Sequence, residues 1–200
     1  LTEEEQTQLR GSVAGLNWAA RQGRPDAAAA ASVIASAFPT PTATDAKSAN
    51  NTIARLKEQE VVIKIWAISE RDLRRLLIVD SAFDTSGQNK SQHGWIVAYT
   101  TPALARGLEA PVSLVCWKSR RLRRKSSSSL LCEALSGSKA MASLLQIANL
   151  DAALRITGHR HGKPLTHLAL EAPTVLTKQA RTNLDREAQM VMDAKALYDA

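Results

Sequence analysis

The chain has 200 residues, 44% of them hydrophobic and 22% charged, which is enough to bury a core without covalent staples and too apolar for a disordered or fibrous class. Its net charge of +7 is confined to the second half: residues 1–100 hold 11 bases against 11 acids, and residues 101–200 hold 15 against 8. The longest apolar stretch, Ala27 to Phe38, is an alanine-rich run of about twelve residues, short of the ~20 that cross a bilayer.

Taken in chain order, Thr2 with Glu5 has the form of a capping box, and Leu9, Val13, Leu16 and Ala20 follow at helical spacing. This predicts a helix over about 3–21. Pro25 then suits the first turn of a second helix through the alanine run to Phe38, and Pro39 and Pro41 end it. Thr44 or Asp45 can cap a third helix with Ala46, Ala49, Ile53 and Leu56 on one face. The β-branched run Val61 to Trp66 reads as a strand.

From there the period is that of strands. Leu76–Val79, Trp95–Tyr99 and Val112–Trp117 are separated by turn-rich stretches, which suggests an antiparallel meander. Ser126 to Ser129 supply cap candidates for a long helix carrying Leu131, Leu135, Ala142 and Leu145. Glu187 to Met192 reads as one more strand, and Ala194 begins a helix. The expected fold is α/β: a three-strand antiparallel meander plus a parallel strand with flanking helices, preceded by a small helical segment. The chain starts at Leu1 without Met and stops within a helical pattern, so it is expected to be a fragment.

Three acids fall at informative places on this map. Asp80 ends the first meander strand, Glu133 lies in the first turns of the long helix, and Asp193 closes the last strand. If that last strand joins the sheet parallel to the first, Asp80 and Asp193 share one sheet edge and the helix can lay Glu133 over both. Three converging carboxylates repel one another unless a cation intervenes, and hard oxygen ligands favour Mg²⁺ or Mn²⁺. Two such ions can activate a water and stabilise the leaving oxygen of a phosphodiester. The alternative is that Asp193 caps the final helix and Glu133 complements a helix dipole.

Six segments, in order, then carry a family resemblance. Leu9 to Ala20 with Arg24-Pro25-Asp26 resembles the "R-x-x-x-G-x-L-x-Y-x-A…T-R-P-D" segment of copia-type retrotransposon polyproteins. Val79-Asp80-Ser81-Ala82-Phe83 is similar to that family's "S-D-A-D-W", His93-Gly94-Trp95 to its "S-G-Y", and Cys116 to Arg121 to its "S-W-K-S-K-K". Ser128 to Ala134 resembles "S-S-T-E-A", and Asp193 to Asp199 resembles "D-S-K-S-L-Y-D".

The resemblance implies a Pol polyprotein fragment: a helical reverse-transcriptase tail over residues 1–66, then an RNase H-like domain over 70–200, truncated at its C-terminus. It makes Asp80, Glu133 and Asp193 the catalytic, metal-holding carboxylates of an enzyme that hydrolyses the RNA strand of RNA–DNA hybrids with two Mg²⁺ (or Mn²⁺) ions. The order Asp, Glu, Asp is that of the ribonuclease rather than of an integrase. The implied partners are the hybrid and the reverse-transcriptase core, with no membrane. The implied setting is intracellular, in cytoplasmic virus-like particles or the nucleus. The family's fourth acid and its polymerase Asp-Asp motif would lie outside the chain. The alternative is an inactive remnant that at most binds nucleic acid non-specifically.

Six of the eight residues from Lys118 to Lys125 are basic: Lys118, Arg120, Arg121, Arg123, Arg124 and Lys125. Read as a turn beside Glu133, they would neutralise phosphates without reading sequence. Their other reading is a solvated turn. His159, His161 and His167 lack metal-ligand spacing and suggest an exposed insert. Trp18, Trp66, Trp95 and Trp117 lie on expected helices or strands and are expected in the core. Cys116 and Cys132 give neither a disulfide framework nor a CxxC metal site, and are expected as small buried residues of a reducing compartment.

Overall fold

The computed structural model describes residues 1–84, 91–156 and 188–192. Helix α1 (Glu3–Gln22) opens on the expected capping box: the Glu5 N–H donates to Thr2 Oγ1 at 3.2 Å, and the Thr2 N–H donates to the Glu5 carboxylate at 2.7 Å. Pro25 starts a single 3₁₀ turn, Pro25–Ala27, from which α2 (Ala28–Ala35) continues. Helix α3 (Ala43–Glu58) is capped by Thr42 rather than by Thr44 or Asp45. Asp45 is the third helical residue and accepts the Thr42 N–H at 2.7 Å, closing a second capping box. Leu9, Val13 and Leu16 of α1 pack with Ala31 and Ile34 of α2 and Ala49 of α3. The helical segment therefore has an apolar core of its own.

Residues 61–66 do not form the expected strand. Their β-branched content favours extended backbone, but a strand also needs a ladder partner. Here Ile65 is 82% exposed, and the recorded tie is the Trp66 N–H donating to Ser113 Oγ at 2.8 Å.

The sheet is built from β1 (Arg74–Ala82), β2 (Gln92–Thr100), β3 (Ser113–Arg121) and β4 (Ala188–Met192), in the spatial order β3-β2-β1-β4. β1–β2 and β2–β3 pair antiparallel, and β4 pairs parallel to β1 with Met192 opposite Val79. The chain is thus α/β with a mixed sheet. No helix among the described residues is long and apolar enough to cross a membrane.

Helix α4 (Ser129–Ile156) starts at Ser128, whose Oγ accepts the Leu131 N–H at 3.2 Å. Its buried ridge is Cys132, Ser136, Ala140, Leu144, Ala148 and Ala152, a run of i+4 steps made mostly of small residues. The expected apolar face lay elsewhere: Leu131 is 39% exposed and Ala142 is exposed too. Small side chains let the helix lie close to the strands, and an i+4 ridge inclines across the helix axis. Ala140 and Leu144 close over Leu77, Val79, Trp95 and Val97. At the far end Asp151 accepts from Arg75 Nε at 2.8 Å and from the Tyr99 hydroxyl, with Arg75 wholly buried.

Two of the four tryptophans depart from the core expectation. Trp95 is buried, but Trp18 is 67% and Trp66 50% exposed. Trp117 is half-buried and donates Nε1–H to the Ala20 carbonyl at 2.6 Å, satisfying a C-terminal carbonyl of α1 and tying the helical segment to β3.

Candidate functional site

Ser81 bonds to both Asp80 and Glu133, which lie on opposite sides of the sheet. The Ser81 N–H donates to Asp80 Oδ1 at 2.8 Å, while Ser81 Oγ donates to Glu133 Oε1 at 2.6 Å. Leu77 and Val79 face α4, so strand alternation sends Ser81 to the α4 face and Asp80, with Ile78, to the opposite one. Asp80 is exposed and Glu133 half-buried. The second oxygen of Glu133, Oε2, is buried and has no hydrogen-bond partner among the described residues. A buried, unmatched carboxylate oxygen is costly unless a donor or a cation meets it. A hard divalent cation beside Ser81 would meet that oxygen.

The third acid is not among these residues. β4 ends at Met192 beside Val79; Asp193, the next residue in sequence, lies outside the described residues, as do His159, His161 and His167. Among the described residues no three His, Cys, Asp or Glu side chains group for a metal.

The basic segment differs from the expected turn. Lys118, Arg120 and Arg121 belong to β3, and only Arg123, Arg124 and Lys125 lie in the bend before α4. Alternation splits the strand residues between faces. Lys118 and Arg120 reach the α4 face, where their charged heads lie 5.7 and 6.0 Å from the Trp95 ring centre. Arg120 Nε also donates to His93 Nε2 at 3.2 Å.

That contact assigns His93 as a neutral imidazole carrying its proton on Nδ1, a buried atom without a hydrogen-bond partner among the described residues. Burial, then the charges of Arg120, Lys118 and Lys139, push the His93 pKa down to about 4. His93 sits directly across from Ser81 in the ladder, so a neutral donor and an unmatched carboxylate oxygen flank the same serine. Ser81 and His93 were not singled out by sequence reasoning. The signal for both is their place opposite one another at the strand ends, which needs the register to be known.

On the other sheet face, Asp80 lines a cleft of ≈ 330 Å³ between the strands and the turn that starts α2. Ile78, Ile96 and Trp117 supply its apolar floor, and Pro25 and Ala28 its opposite wall. A larger groove of ≈ 1020 Å³ runs between α1, α2 and β3. The two share Ala28, Trp117, Lys118 and Ser119. Arg21, from the last turn of α1, lines the groove opposite Arg121 and Arg123.

Compared with family models, curated proteins and solved structures, the chain shows no match. Its reading therefore rests on its own residues.

Proposed function

We propose that residues 70–200 form an RNase H-like domain of a copia-type Pol polyprotein, and that residues 1–66 are the helical tail of its reverse transcriptase. The proposed activity is hydrolysis of the RNA strand of an RNA–DNA hybrid. The observation that carries this reading is the pairing of Asp80 on β1 with Glu133 on α4 through Ser81, beside a parallel β4 that ends immediately before Asp193. A mixed sheet in which the long helix returns a carboxylate to the end of the first strand is compatible with that fold.

Asp80, Glu133 and Asp193 would hold two Mg²⁺ (or Mn²⁺) ions. The ions, when bound, supply the positive charge that activates water and stabilises the leaving oxygen. This chain's residues supply the frame. Ser81 fixes one oxygen of each of two carboxylates, leaving Oε2 of Glu133 available. Arg123, Arg124 and Lys125, exposed ahead of α4, would hold phosphates by charge alone. His93, neutral and buried, stands behind Ser81 without adding a charge to the acid cluster.

The test is hydrolysis of a labelled RNA–DNA hybrid with Mg²⁺, comparing the chain with Asp80→Asn. We expect loss of at least about a hundredfold in rate, the scale of removing one electrostatic group from a transition state. Equal rates in both proteins would sink the reading. One observation favours the second reading, an inactive nucleic-acid-binding remnant: Asp80 projects from the face of β1 opposite the one that α4, and with it Glu133, covers. Salt-sensitive hybrid binding without hydrolysis in either protein would select it.

A further inference from the structure

Among the described residues, the groove between α1, α2 and β3 is lined by the cationic side chains of Arg21, Arg121 and Arg123 and by no acid, while Lys118 and Arg120 turn to the other sheet face. Two of its walls come from segments far apart in sequence: Arg21 closes α1, while Arg121 and Arg123 lie at the end of β3 and its exit. An anion in the groove would meet positive charge from both walls. Trp117 lies along the floor, its Nε1–H already engaged by Ala20 and its ring bordering both the groove and the Asp80 cleft.

We propose that this groove binds one strand of nucleic acid, with Arg21 and Arg123 on phosphates and the Trp117 ring against a base. Positive charge that tracks a backbone beside an aromatic stacking surface is how sequence-independent single-strand sites are built. A duplex presents its phosphates on a convex surface, whereas this site is concave and walled on both sides. Because the groove shares Trp117 and Ser119 with the cleft that Asp80 lines, the bound strand runs toward Asp80. This extends the nucleic-acid part of the proposed function and needs none of its hydrolytic chemistry.

The experiment is fluorescence anisotropy of a short labelled oligothymidylate titrated with the whole chain over a range of salt. Arg21→Ala/Arg123→Ala removes two exposed groove cations, and Lys47→Ala/Lys57→Ala removes two from α3 on equal charge terms. Two phosphate contacts on a single strand contribute a salt slope of about 1.4, hence about 25-fold in affinity near 0.1 M salt. We expect that loss in the groove variant and near-native binding in the α3 variant, with circular dichroism showing both folded. Equal losses in the two variants would overturn the proposal, as would inorganic polyphosphate binding as tightly as the oligonucleotide, which would leave Trp117 and the bases no part. Asp80→Asn is measured alongside: strand binding that persists while hydrolysis fails separates this site from the nuclease reading.

Discussion

Replacing Asp151 by alanine should be among the most damaging single changes in the described sheet region. Arg75 has no solvent exposure, and its Nε sits 2.8 Å from Asp151 Oδ2, while the Tyr99 hydroxyl donates to the other oxygen. Removing the carboxylate breaks an ion pair to a buried guanidinium, a loss of about 3–5 kcal/mol. Loss of the Tyr99 hydroxyl's bond to Asp151 adds about 1 kcal/mol. A total near 4–6 kcal/mol is a large part of a typical domain's stability of roughly 5–15 kcal/mol. At this chain length each kcal/mol moves the melting temperature by about 2–4 °C, so a drop of at least ~8 °C is expected. Urea unfolding followed by circular dichroism reads the same change as a shift in midpoint at constant slope. The decisive control is Arg75→Met/Asp151→Leu, which removes both charges. If the cost arises from breaking the ion pair at a buried charge, the double variant recovers most of the stability. A double variant no better than Asp151→Ala, or a single-variant cost below about 1 kcal/mol, would refute the reasoning.

Two further outcomes follow from the geometry. His93 has a folded pKa of about 4 against roughly 6.5 unfolded, so the unfolded chain binds more protons between those values. The stability from keeping His93 neutral is complete above about pH 6.5 and is lost as pH falls toward 4, by an amount on the order of 2–3 kcal/mol; His93→Gln should flatten that part of a stability–pH curve, and an unchanged curve would reject the assignment. Trp117→Phe deletes the bond to the Ala20 carbonyl and should cost about 1 kcal/mol in urea unfolding. Trp18→Phe, at an exposed site, should stay within about 0.5 kcal/mol of the parent, and equal effects at both positions would contradict the claimed tie.

What was legible in the sequence was mostly local. The Thr2–Glu5 capping box involves neighbours, so its pattern carries its geometry. Residues 61–66 show the limit of that logic: β-branched side chains set a backbone preference, but pairing depends on a free strand edge that no local pattern reveals. Helix α4 misled for a different reason. Counting large apolar residues selects Leu131 and Leu145, whereas the helix packs through Cys132, Ser136 and Ala140 because close approach to a sheet rewards small side chains.

The candidate site divides the same way. That Asp80 and Glu133 share a neighbourhood follows from element order, and Ser81 lies between them in the structure. Which strand face Asp80 takes was not legible, since it depends on which side α4 covers. Arg21 could not be found from the basic run either, because its partnership with Arg121 and Arg123 exists only once α1 has packed beside β3.

The two polar ties between β1 and α4 have a mechanical consequence. Arg75 and Ser81 are six residues apart on the strand, a span of about 20 Å. Asp151 and Glu133, which they hold, are eighteen residues apart on the helix, about 27 Å. The helix is thus pinned near both of its ends to a single strand, running opposite to it. Sliding by one residue would break both attachments together, so the position of Glu133 is governed partly from Arg75, at the other end of the sheet. An alteration at that remote anchor would be transmitted along a stiff rod to the carboxylate, without any contact between the two places.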